Sequence, residues 1–437
     1  NSYCYPENPE AGIDLFLEKL VQETEKEHED ILEQADETDA MFGELYSWYL
    51  RNPEYRSRVQ KLVQSAFAGK PKDIISQSVA KALYGEVSPY SATRLERFAA
   101  CAFAHFLQYG MKLTERVEYE FKPMDMGNVM HEALESFAEE VRKRGMKWTE
   151  LTEQERNEIA DRCLDNIVAD YGNTVLKSSA RNEYMIERTR RILRRTVWAL
   201  QKQLEQGEFQ PEGFEVTFGG GRIDRVDIME DQNKVYVKVI DYKTGNTSFD
   251  LVYLYHGLQL QLMIYLDGAL RVEQKKYPDK EIIPAGVFYY NIKDPMIQEK
   301  IDADVEAVSA GLMKELKMNG LVQADPELVY RMDSSLGSIP VSFNKDGNFR
   351  KNSSVADRTQ FAVLGRYVRT KIEKIRSSIL EGDAEVSPYE LGKKNACTYC
   401  PYMTVCGFDR RLSGYEFRRL KNFSDEELWK AFDREAE

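Results

Sequence analysis

The chain has 437 residues, 42% of them hydrophobic and 30% charged, with a formal net charge of −13. That length accommodates two or three domains, and that balance excludes a disordered chain. No apolar run approaches the roughly 20 residues of a membrane helix.

The acidity is concentrated at one end. Residues 1–40 hold thirteen acids against Lys19 and Lys26, which leaves 60 acids and 58 bases for the rest. The start therefore reads as a solvated acidic helix pair, while the body can still present positive patches to phosphates. The sequence opens Asn1-Ser2-Tyr3 with no basic-then-apolar leader, which points to a cytoplasmic protein, and the missing initiator Met suggests a trimmed or partial chain.

In chain order, apolar residues at three- and four-residue spacing, such as Leu15, Phe16, Leu20 and Val21, predict helices from about Ala11 to Leu83. Ser88-Pro89-Tyr90-Ser91 is a breaker, and a boundary is expected near residues 85 to 92. Thr93-x-x-Glu96 reads as a capping box opening a helix that stops at Gly110. Further helices are expected from Gly127 to Arg144 with Gly145 as stop, from Thr152-x-x-Glu155 to Tyr171 with Gly172 as stop, and from about Arg181 to Glu205. Arg188, Arg190, Arg191, Arg194 and Arg195 make the last of these basic, either to follow a DNA backbone or as a solvated outer face.

After Pro211 the period changes to two. Phe214–Phe218, Arg222–Met229, Lys234–Lys243 and Ala285–Tyr290 read as strands, with a helix from about Tyr253 to Leu270, so an α/β core with helical additions is expected. Val235, Val237, Val239, Asp241 and Lys243 share one face of their strand. With Glu230–Asn233 as a four-residue turn, Asp224 falls opposite Val239 and faces the same side as Asp241 and Lys243, while Asp227 points away. A one-residue change in loop length would reverse that choice. Two carboxylates in one pocket repel unless a cation sits between them, and oxygen donors favour Mg²⁺ or Mn²⁺. For Asp-x-Lys alone the competing reading is an exposed hairpin with solvated charges.

Six cysteines are present, three of them as Cys397-x2-Cys400-x5-Cys406. Closely spaced thiols without a secretory leader favour a metal site over disulfides. Cys163 falls on an apolar stripe with Ile159, Ala160 and Ile167 and reads as core, Cys4 lies in an irregular end, and Cys101 lies off the stripe of Leu95, Ala99, Ala102 and Phe106, free to ligate. Zinc and an iron–sulfur cluster both remain open, with His105 as a rival fourth ligand for zinc.

The ordered set Gly221-x-Ile223-Asp224, Asp241-Tyr242-Lys243-Thr244-Gly245 and Gln261-x-x-x-Tyr265, with Gly127-x-x-x-His131-x-x-Leu134-Glu135 upstream, resembles the RecB-like branch of PD-(D/E)XK nucleases. With the cysteines it resembles the carboxy-terminal part of AddB/RexB-type subunits of helicase–nucleases. The likeness runs from about Ser88 to Leu412 and includes Pro284–Tyr290 and Leu316–Leu321. It implies a restriction-endonuclease-like mixed sheet flanked by helices, with large helical additions and an iron–sulfur staple. The implied division is a helical segment over 1–87, the nuclease domain over 88–411 and a helical tail over 412–437.

The same resemblance implies His131, Asp224 and Asp241 as ligands of Mg²⁺ or Mn²⁺ with the Tyr242 backbone carbonyl, Lys243 as the residue that positions or activates water, and Gln261 and Tyr265 lining the site. Cys101, Cys397, Cys400 and Cys406 would hold a 4Fe-4S cluster. Apart from the resemblance, the basic helix offers Arg188, Arg191 and Arg195 as candidate DNA contacts, with a solvated outer face as the alternative. Two departures are Ala102, where many relatives have Pro, and Gly219-Gly220-Gly221, where relatives carry a longer excursion. The implied activity is exonucleolytic hydrolysis of a single DNA strand during double-strand break processing in recombinational repair, with an AddA-type subunit as heterodimer partner. A Cas4-like standalone exonuclease is disfavoured by the helical amino terminus, and an inert scaffold by the complete His131, Asp224, Asp241, Lys243 set. Gly-x4-Gly-Lys-Ser/Thr is absent, so ATP hydrolysis is not expected of this chain.

Overall fold

The computed structural model describes residues 37–66, 74–85, 91–114, 123–170, 179–219, 221–297, 304–412 and 414–436. Most of the acidic start, the expected breaker at Ser88-Pro89-Tyr90 and the expected stop at Gly172 lie outside the described residues. Helices α1 (Glu37–Arg51) and α2 (Pro53–Ala66) pack on each other around Tyr49 and Val59. Next come α3 (Gln77–Tyr84) and α4 (Ala92–Ala100), both with side chains in the core beside the sheet.

Helix α4 departs from expectation at both ends. Its cap is Ser91, whose hydroxyl accepts from the Arg94 N–H, and not Thr93. It also stops before Gly110, because Cys101 adopts an extended conformation (φ −164°, ψ 118°). The chain resumes as α5 (Ala102–His105) and a π-helical turn, Phe106–Gly110. The break turns Cys101 inward among Ala104, Leu107 and Tyr402.

Three long helices form one outer layer: α6 (Pro123–Lys143), α7 (Glu153–Asp170) and α8 (Ala180–Glu205). Gly145 (φ +67°) follows the first, in the left-handed conformation that ends helices. The sheet then begins with β1 (Gln210–Phe218), β2 (Gly221–Asp231) and β3 (Lys234–Lys243). Helices α9 (Leu251–Tyr255) and α10 (Gln261–Lys276) cross over to β4 (Glu281–Asn291), which pairs parallel with β3. A single helix was expected there; Gly257, at φ +78°, breaks it in two. Helix α11 (Val305–Glu315), β5 (Asn319–Gln323), α12 (Pro326–Met332), β6 (Val355–Ala356) and α13 (Arg358–Glu381) complete the body. A three-stranded sheet of β7 (Tyr389–Leu391), β8 (Lys394–Asn395) and β9 (Arg418–Arg419) follows, with α14 (Met403–Cys406) between its last two strands and α15 (Asp425–Ala436) after them.

The main sheet is mixed, with its six strands in sequence order. Strands β3 and β4 carry near-continuous apolar runs because both their faces are covered. Val235, Val237, Val239 and Val287 pack with α4, α10 and α13, while Tyr236, Ile240, Phe288 and Tyr290 pack with α6, α7 and α8. The tail helix α15 adds Leu428 and Phe432 to the first of these cores.

The β2–β3 hairpin turns more tightly than expected. Asp231 pairs with Lys234, so the loop is Gln232-Asn233, with Gln232 at φ +24°, a tight form that suits the twist of paired strands. Arg225 then pairs with Ile240, and one further step along that register brings Asp224 level with Asp241 instead of Val239. The slide is two residues, an even number, so each side chain keeps its face.

Candidate active site

Three apolar residues on one face of β3 lead into Asp241, which is 1% exposed, and Lys243. The Lys243 Nζ lies 2.5 Å from Asp241 Oδ2 and donates to Gln261 Oε1 at 2.9 Å. Gln261 in turn donates through Nε2 to the Tyr265 hydroxyl at 2.9 Å. These two residues sit one turn apart on α10, the spacing at which helical side chains meet. Asp224 reaches across from β2, and its Oδ2 accepts the Tyr242 N–H at 2.7 Å.

His131 arrives from α6, in the layer against the opposite face of the sheet. Its Nδ1 lies 3.4 Å from Asp224 Oδ2 and 3.9 Å from Glu215 Oε1. Burial disfavours the imidazolium, but the carboxylates of Asp224 and Glu215 that the ring faces, with Asp241 nearby, outweigh it and raise the His131 pKa to about 10. Asp241 is pushed well above the usual carboxylate range, first by burial and then by the charge of Asp224; Lys243 and His131 only partly offset this. The ligand atoms on offer are carboxylate oxygens and, once its proton is lost, one imidazole nitrogen. His131, Glu215 and Asp224 offer ligand atoms within 4.8 Å of one another, a set able to hold a hard divalent ion.

Sequence reasoning missed Glu215. Alternation along β1 assigns it to the face opposite Phe214 and Val216, with no sign of a role. The residue instead takes φ +48°, a conformation that costs a non-glycine residue about 1–3 kcal/mol. Its nearly buried carboxylate meets His131 and the Arg222 guanidinium. Nothing in the apolar pattern marks that twist.

Asp227 lies on the other side of the sheet, as the alternation requires. Arg225 grips it through Nε and Nη2 at 2.6 and 2.9 Å, and Lys238 Nζ lies 3.0 Å away. All three are buried. Tyr242 also turns its ring to this side, so only its backbone faces Asp224.

The cysteines gather at the break after α4. Cys101 is buried in a small cluster against which Cys400 packs. Cys397 is pushed up to about 12 by burial and then by the neighbouring thiols of Cys101, Cys400 and Cys406. The four thiols therefore sense one another, yet among the described residues no three sulfurs lie within 4.8 Å of each other. His105 stands apart from them. It accepts from Arg94 Nε at 3.2 Å within a ring of Tyr84, Phe98 and Tyr109, and burial lowers its pKa to about 3, so it is not placed as a fourth ligand. Cys163 is core, as its stripe predicted.

Arg188, Arg191 and Arg195 line a separate groove of about 740 Å³ with Tyr184 and Trp198. Arg191 is bound to Asp294 at 2.6 Å and Arg195 lies over the Trp198 ring, while Arg190 and Arg194 pair with Asp161 on α7.

A sequence model of the PD-(D/E)XK nuclease superfamily matches residues 89–407. The chain belongs to that superfamily. Among curated proteins, this nuclease-superfamily chain is 41% identical over 92% of its length to the B-type subunit of the ATP-dependent helicase/deoxyribonuclease of Lachnoclostridium phytofermentans. It is 34% identical to the subunits of the same name from Thermoanaerobacter sp. strain X514, over 92% of its length, and from Clostridium acetobutylicum, over 91%. It spans little more than a third of those relatives, 36% or 37% of each. Among the described residues no helix is long and apolar enough to cross a membrane.

Proposed function

We propose that this chain hydrolyses phosphodiester bonds of a single DNA strand, as the exonuclease part of a cytoplasmic helicase–nuclease that processes double-strand breaks for recombinational repair. An AddA-type motor subunit would be its partner and would feed the strand. The observation that carries the reading is the convergence of Asp224, Asp241, Lys243 and His131 in one pocket of a PD-(D/E)XK chain. The names of the relatives, which join helicase and deoxyribonuclease, support the wider assignment.

In this reading His131, Asp224 and Asp241, with the Tyr242 carbonyl, hold Mg²⁺ or Mn²⁺, and Glu215 stands ready as a further donor. A divalent ion bound there supplies Lewis-acid polarisation of the phosphate and a more acidic water. The chain's own groups do the rest. Lys243, held by Gln261, keeps an ammonium where negative charge builds on the phosphate, and Tyr265 fixes the Gln261 amide. Arg188, Arg191 and Arg195 guide the DNA backbone along their groove.

The test is incubation of the chain with end-labelled single-stranded DNA. Shortening of the strand that requires Mg²⁺ or Mn²⁺ and stops with a chelator is expected. Full cleavage without any divalent ion, or none with one, rejects the proposal.

Cys101, Cys397, Cys400 and Cys406 would hold a 4Fe-4S cluster. Anaerobically purified protein is expected to absorb at roughly 400 nm, a band that Cys400→Ser removes and a zinc site lacks.

A further inference from the structure

Glu96 is a half-buried acid in the middle of α4, and the chemistry above leaves it without a task. Sequence assigned it to a capping box at the start of its own helix, but Ser91 caps α4. Its Oε1 instead accepts two backbone N–H groups of a different helix, from Leu260 at 2.7 Å and Gln261 at 2.9 Å. These belong to the first turn of α10, where helix donors have no partner within the helix, and Leu260 has no side-chain acceptor to supply one. A carboxylate from α4 thus does the capping that α10 cannot do for itself.

The position matters because of what α10 starts with. Gln261 is its first residue, and the side chain of Gln261 links the Lys243 ammonium to the Tyr265 hydroxyl. Any slide or rotation of that first turn moves the Gln261 amide away from Lys243. Burial lifts the Glu96 pKa to about 7 against the opposing pull of the two backbone donors and of Lys243.

We propose that Glu96 is a positioning residue of the nuclease site: by gripping the first turn of α10 it sets the Gln261 amide, and through that amide holds the Lys243 ammonium beside Asp241. The proposal rests on the reading of Lys243 as part of that site. It differs from a plain stabilising cap in predicting a defect at one amine in a protein that stays folded.

The test compares Glu96→Ala with Glu96→Gln in the 437-residue chain. Glutamine keeps an oxygen for the two N–H groups, whereas alanine removes it. Glu96→Ala is expected to lower kcat about 10- to 100-fold with little change in KM, and Glu96→Gln to restore most of the rate. Competitive labelling of lysine amines, read by mass spectrometry without DNA or metal, gives an answer independent of cleavage. The Lys243 amine should label faster in Glu96→Ala and at the wild-type rate in Glu96→Gln. Wild-type labelling and kcat in Glu96→Ala overturn the proposal, as does an equal loss in both variants. If melting shows that Glu96→Ala does not fold, Glu96→Asp withdraws the oxygen by one methylene, and the same two readouts decide. A wild-type chain that never cuts DNA defeats the nuclease reading alone, since labelling still reports the link from Glu96 to Lys243.

Discussion

Asp241→Ala lowers the rate of strand cleavage on the order of 10³-fold or more, while the melting temperature stays at or above that of the wild type. Loss of rate follows from the proposed mechanism, because Asp241 is the buried carboxylate next to Lys243 and level with Asp224, where a bound cation and the ammonium would share a phosphate. Preserved stability follows from its setting. Asp241 is buried beside another acid and sits at an elevated pKa, so its charge is a cost to the fold before a cation arrives. Single-turnover cleavage of labelled DNA gives the first quantity and calorimetric titration with Mn²⁺ gives a third, a weakened metal affinity. An alanine variant that cuts and binds Mn²⁺ like the wild type would falsify the assignment of this pocket.

Three residues away from Asp224, Asp227→Ala should behave in the opposite way, costing about 3–5 kcal/mol of stability. Asp227 is the carboxylate paired with both Arg225 and Lys238, all of them buried on the side of the sheet packed by α6, α7 and α8. Removing it strands two cations, one of them pressed against the rings of Trp148 and Phe214 at 5.7 Å. Burial alone would raise the Asp227 pKa, but Arg225 and Lys238 hold it below the ordinary value. Its contribution is therefore present above the ordinary carboxylate pKa and is lost only as pH falls through the lowered one. Urea denaturation at neutral pH measures the difference, and a loss below about 1 kcal/mol would show that the network is dispensable.

The contrast between Asp224 and Asp227 shows what could be read from the chain. Period-two alternation assigns the two acids to opposite faces, and an error of two residues in the turn does not disturb it, because face depends on parity and not on register. The helix-layer boundaries were legible for a similar reason: Gly145 and the long apolar stripes are local signals. What failed was non-local. Thr93-x-x-Glu96 has the spacing of a capping box, but Ser91 lay two residues upstream with a free hydroxyl, and α10 offered Glu96 two unpaired N–H groups. The helix expected from about Tyr253 to Leu270 is instead interrupted after α9, where Gly257 takes a positive φ. Glu215 reached the pocket through a backbone twist that no pattern of hydrophobicity records. Cys101 was expected on a helix flank; the helix in fact ends there, and its extended backbone carries the thiol inward.

The parts that brace α4, α9 and α13 lie far along the chain. Arg418 binds the carbonyl of Ala99, and α15 sets Phe432 against Tyr255 and Tyr367. Without α15 the core behind Val235, Val237 and Val239 would lose Leu428 and Phe432, so the sheet face that carries Asp241 and Lys243 depends on a helix far from it in sequence.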